Sequence, residues 1–91
     1  MKRELILSKL RTLKPILQEK YPLESIALFG SYARDEASEN SDVDLLVELN
    51  GRMGMNFFEM ADEIEDNLGI RTEVITKRAM KDLIKEDLIY V

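Results

Sequence analysis

Between residues 2 and 20 the apolar side chains Ile6, Leu10, Leu13 and Leu17 recur at helical spacing, with Leu5 and Ile16 widening the stripe, which predicts an amphipathic helix. Pro15 lacks an amide hydrogen and crowds the preceding turn, so a kink or a restart is expected there, and Tyr21-Pro22 ends the helix. Residues 25–29, Ser-Ile-Ala-Leu-Phe, are short and apolar between Pro22 and Gly30, as a buried strand would be. Residues 31–37 can form a short helix with Ser31 in the cap or first turn, and residues 38–41 read as a polar loop. From residue 43 to 49 the pattern alternates, placing Val43, Leu45, Val47 and Leu49 on a core face and Asp42, Asp44, Leu46 and Glu48 on the other. After the glycine-containing loop 50–54, Phe57, Met60, Ala61, Ile64 and Leu68 step by three or four, and Gly69 stands where a helix commonly turns left-handed. Residues 71–75 have strand character, Thr76 can cap, and Ala79, Met80, Leu83, Ile84 and Leu88 mark a last helix. The predicted fold class is α+β (α/β mixed): a small mixed sheet of three to four strands packed by about four helices.

Composition narrows what such a fold could do. Ninety-one residues, 45% of them apolar, make a single domain over 1–91, so any large acceptor must come from outside it. Thirteen cationic and eighteen acidic side chains leave a charge of −5, which repels phosphate backbones and disfavours direct nucleic-acid binding. The chain has no cysteine and no histidine, so a metal would be held by oxygen ligands, which suits magnesium. No apolar run approaches the roughly 20 residues of a membrane span, and Met1-Lys2-Arg3-Glu4 leads into an amphipathic segment rather than a signal core, so the expected location is cytoplasmic, with no membrane partner.

Against that background one arrangement carries chemistry: Gly30-Ser31, ten intervening residues, then Asp42-Val43-Asp44. A glycine lets backbone approach a phosphate, a following helix start would offer amides, and Ser31 adds a hydroxyl. Two aspartates on one face of a strand leave the backbone about 7 Å apart and can converge on one divalent ion. Without a cation between them they repel, so the pairing is costly unless one binds. Singly these features are an ordinary turn and a solvated strand end; their joint spacing points to a metal-bound nucleoside triphosphate. Arg34 could reach a phosphate or pair with Asp35 or Glu36. Glu59, Asp62, Glu63, Glu65 and Asp66 read as a solvated helix face. The basic residues Lys77, Arg78, Lys81 and Lys85 read likewise, or as a guide for a partner or the triphosphate. Met53, Met55, Phe57, Phe58 and Met60 read mostly as core, or at the loop end as a docking surface.

The run Ser-Ile-Ala-Leu-Phe-Gly-Ser-Tyr-Ala-Arg from residue 25, followed by Ser-Asp-Val-Asp-Leu-Leu-Val-Glu from residue 41, resembles the signature of the DNA polymerase beta-like nucleotidyltransferases. In length and element order the chain is similar to the minimal nucleotidyltransferases, the MNT type. The resemblance implies transfer of a nucleoside monophosphate with release of pyrophosphate, using two magnesium ions held by the paired aspartates and a third carboxylate on a neighbouring strand. Carried over, Gly30 and Ser31 would hold ATP as substrate, and Asp42 and Asp44 would hold the metals. The third carboxylate, metal ligand and general base, would be Glu73, where such proteins usually carry aspartate. Resemblance also implies an antitoxin that attaches AMP to a tyrosine of a HEPN-domain ribonuclease toxin. The alternatives are a catalytically weak antitoxin that neutralises this partner by binding, and a transferase for a small hydroxylated molecule.

Overall fold

The structure, a computed structural model, describes residues 1–80 and 87–91. In chain order it comprises α1 (Arg3–Lys20), β1 (Leu23–Phe29), α2 (Gly30–Ala33), β2 (Val43–Leu49), α3 (Asn56–Leu68), β3 (Thr72–Thr76), α4 (Lys77–Met80) and β4 (Ile89–Tyr90). The strands form one mixed sheet in the order β3-β2-β1-β4. β1 is antiparallel to β2 and β4, while β2 and β3 are parallel, as a crossover through α3 requires.

The stripe Ile6, Leu10, Leu13 and Leu17 is buried as its spacing predicts, but Leu7 extends it, whereas Leu5 and Ile16 remain exposed. Leu5 and Leu7 flank that stripe on opposite sides, and tertiary neighbours choose between them. The Leu7 flank also carries Arg3 and Lys14, which donate to the carbonyls of Ala33 at 3.0 Å and Val91 at 2.8 Å, so α2 and the C-terminal strand cover that side. α1 continues through Pro15, which is exposed, so the amide that proline cannot supply is missing on the solvent side of the helix. Under α1 and α3 the core is completed by Ile26, Leu28, Val43, Leu45, Val47, Met60, Ile64 and Leu68. Gly69 adopts φ +70° and returns its amide to the Glu65 carbonyl at 2.8 Å, ending α3 where expected.

Several expectations change. The first strand starts two residues earlier, at Leu23, through an irregularity between Leu23 and Ser25. α2 is a single turn and stops at Ala33, because Asp35 takes φ +60°, a conformation that aspartate tolerates. Leu46, assigned to the polar face, is buried there with Ala27 and Phe29, and Ile75 and Leu88 pack against them in a second apolar cluster. Leu88 is therefore not a helical residue: it leads into β4, whose Tyr90 and Ile89 pair with Ala27 and Leu28. Thr76 caps α4, accepting from the Ala79 amide at 3.1 Å, while Leu83, Ile84, Lys81 and Lys85 of the expected last helix lie outside the described residues. The acidic side of α3 is not uniformly solvated. Glu63 accepts from Lys20 at 3.0 Å and from the Tyr21 hydroxyl at 3.3 Å, tying α3 to the end of α1, and Glu65 accepts from the Thr72 amide at 2.8 Å. Among the described residues no helix is long and apolar enough to cross a membrane.

Candidate active site

Two neighbouring strands deliver the acidic residues to one end of the sheet. Asp44 is paired with Phe29 at the end of β1 on one side and with Glu73 of β3 on the other. Neighbouring strands lie about 4.8 Å apart, so the Asp44 and Glu73 side chains leave the sheet side by side. Two residues earlier on each strand, just before the ladder begins at Val43 and Thr72, Arg71 Nε donates to Asp42 Oδ1 at 2.8 Å. Asp42 and Asp44 are half-buried and Glu73 is exposed.

The chemistry of this cluster follows from crowding. Burial pushes the Asp44 carboxyl above its ordinary value, and the charges of Glu73 and Asp42 and a hydrogen bond with Glu73 push it further, while Arg34 acts in the opposite sense. An all-oxygen donor set that is short of positive charge fits a hard divalent cation such as magnesium. Asp42 is turned to Arg71, and among the described residues no three acidic side chains are already gathered around one point. Asp44 and Glu73 are therefore the part of the set already aligned, and Asp42 has its guanidinium partner to exchange.

Gly30 is required here for a reason that its sequence position does not reveal. Its φ is +74°, and a Cβ built on it would run into Asp44 Oδ2, so the missing side chain makes room for a carboxylate. Gly30→Ala is expected to cost about 1–3 kcal/mol through backbone strain and collision, read as a lower thermal midpoint; melting like the wild type would show that Asp44 can turn aside freely. Ser31 follows in the turn, half-buried. The expected helix-dipole contribution to phosphate binding is weakened, since α2 has only 4 residues and a macrodipole needs aligned turns to build up.

The ion-pair reading of Arg34 holds for Glu36, whose Oε1 accepts from its Nε at 2.8 Å, and its charge also acts on Asp44. Along the sequence Arg71 reads only as a strand residue. Its signal, a cation two positions before Glu73, becomes meaningful only once β2 and β3 are known to be parallel in this register.

Comparison with known proteins identifies the family. The sequence profile of the nucleotidyltransferase domain matches residues 10–90. MJ0128 of Methanocaldococcus jannaschii is 49% identical over 88 residues, covering 90% of each chain. Protein adenylyltransferase MntA of Thermococcus cleftensis is 36% identical over 77 residues, 84% of this chain and 78% of that one. The fold is shared with a chain in the solved structure of the tri-AMPylated Shewanella oneidensis HEPN toxin in complex with MNT antitoxin, with a TM-score of 0.59 at 21% identity over 81% of this chain and 57% of the other. With the match spanning nearly the whole sequence and including the Gly30, Asp42, Asp44 and Glu73 cluster, the chain belongs to the nucleotidyltransferase domain family.

Proposed function

We propose that residues 1–91 form one magnesium-dependent protein adenylyltransferase domain that moves AMP from ATP to a hydroxyl of a partner protein, the partner being a HEPN-domain toxin and the acceptor a tyrosine. The observation that carries this reading is the register that sets Asp44 beside Glu73, with Gly30 cleared to receive the Asp44 carboxylate. Asp42, Asp44 and Glu73 would hold the metal, and Gly30 and Ser31 the triphosphate. Bound magnesium supplies charge neutralisation of the triphosphate and a lower pKa for the acceptor hydroxyl. Glu73 takes the proton from that hydroxyl, the acceptor oxygen bonds to the α-phosphorus, and the bond to the pyrophosphate oxygen breaks in line. A relative named protein adenylyltransferase MntA and a neighbour whose toxin carries AMP support the choice of reaction and partner. Use of ATP and the lack of cysteine fit a cytoplasmic protein.

A second reading, an antitoxin that blocks its partner by binding alone, is favoured by the Arg71 contact that occupies Asp42 and by glutamate at position 73. Incubation with α-labelled ATP, magnesium and a HEPN partner encoded beside it separates the two. Label on the partner is the expected result. Tight association without label would establish the second reading, and label on a small hydroxylated molecule would replace both.

A further inference from the structure

Beyond the acidic cluster, the opposite end of β2 and β3 opens into a cavity of about 910 Å³ lined by Leu49, Met53, Arg52, Lys77, Arg78 and Glu48, among others. Three cations face one carboxylate there, in a chain whose overall charge is −5. Glu48 is partly engaged, with Lys77 Nζ at 3.6 Å and the Ser25 hydroxyl at 3.4 Å. Among the described residues neither Arg52 nor Arg78 is ion-paired. Leu49 and Met53 give the cavity apolar lining, and further along the chain Met55, just before α3, and Phe58, in its first turn, are 76% and 62% exposed. An apolar lining beside three cations suits a segment that carries both acidic and apolar residues.

We propose that this pocket docks an acidic, leucine-like segment of the acceptor protein and so selects which hydroxyl is modified; the proposal rests on the reading of the chain as a protein-modifying transferase. Position supports it. Glu48 and Asp44 lie on one face of β2 four residues apart, a separation of about 13 Å at strand rise, which about four extended residues of an acceptor can span. The adenine end of ATP is uncharged and gives no use for three cations. A nucleic acid would meet the repulsion of the whole acidic chain before reaching a small basic pocket. The acceptor tyrosine is thus expected about four residues from an acidic and apolar run.

The test uses the ¹⁵N-labelled full chain titrated with a peptide in which tyrosine is separated by three residues from a Glu-Leu-Glu run. Amide shifts should concentrate at Arg52, Lys77 and Arg78, binding should weaken with salt, and R52E/K77E/R78E should raise the Kd by about tenfold or more. An Arg52→Ala and Arg78→Ala pair, which leaves the Glu48 contact of Lys77 in place, guards against misfolding and should weaken binding in the same direction. No peptide binding to the wild type, or equal affinity in the variants, overturns the proposal. So does preferential pocket binding of a single-stranded RNA of equal length, which would make the site a nucleic-acid contact. Magnesium-ATP binding measured on the same samples distinguishes the two levels: its loss in the charge-reversal variant assigns the pocket to the nucleotide and overturns docking. Absence of ATP binding in the wild type would sink the transferase reading itself.

Discussion

Asp44→Asn is expected to abolish nucleotide transfer while raising the thermal midpoint of the metal-free protein. Removal of a metal-facing carboxylate forfeits several kcal/mol of charge stabilisation, about a thousandfold or more in rate at 1.36 kcal/mol per decade. The stability change has the opposite sign because the carboxyl is held in a costly place. Burial, Glu73 and Asp42 raise its pKa, so the folded state binds its proton more tightly than the unfolded chain does. That contribution to stability is fully present below the ordinary carboxylate value and is lost as pH rises through the raised one. At neutral pH the native protein carries the crowded charge, and asparagine removes it with little change of shape. A gain on the order of a few degrees is expected at neutral pH, shrinking in acid as the wild-type carboxyl regains its proton. Magnesium supplies the alternative relief, so it should raise the wild-type midpoint and leave Asp44→Asn nearly unmoved. Scanning calorimetry with and without magnesium at pH 4 and pH 7.5 measures all of this. A variant destabilised at neutral pH would show that Asp44 is a structural partner instead of a strained ligand. Full transfer by Asp42→Asn with Asp44→Asn would remove both aspartates from the mechanism.

What could be read along the chain is what depends on neighbours along the chain. The α1 stripe from Ile6 to Leu17, the alternation of β2 and the Gly69 stop of α3 are local patterns, and each is found where its period puts it. The juxtaposition of Gly30, Asp42 and Asp44 was legible for the same reason: a strand, a turn and a returning strand fix their relation over a short stretch. Pairing partners were not legible. Whether Leu5 or Leu7 is buried depends on which flank of α1 the end of the chain covers. Leu46 looked solvent-facing by alternation, yet Ala27 and Phe29 of β1 pack beside it on a second apolar face. β4 is only two residues long, too short for any period, and is defined by its ladder to β1. Arg71 and the contact of Gly30 with Asp44 likewise belong to register, not to composition. In this family member the local sequence therefore picks out the candidate acidic groups, and strand pairing decides which of them lie beside each other.

Glu73→Ala should reduce transfer by about a hundredfold, the cost of misplacing a reacting group by roughly 1 Å, whereas Glu73→Asp should preserve or raise it. The parallel ladder sets residue 73 level with Asp44, so the position is right for a shared ligand and base whichever acid occupies it. Glutamate adds one methylene, and the side chain is exposed, so it is not held rigidly by packing. Aspartate would shorten that reach and lose rotamers that must be frozen in the transition state. Because Glu73 is among the causes of the raised Asp44 carboxyl, its removal also relieves the apo protein, so Glu73→Ala should melt no lower than the wild type. Low activity in a variant of unimpaired stability is what separates a catalytic carboxylate from one that only supports the strand. Unchanged transfer in Glu73→Ala would leave Asp42 and Asp44 as the whole acidic machinery and would pass the proton to water or to the acceptor protein.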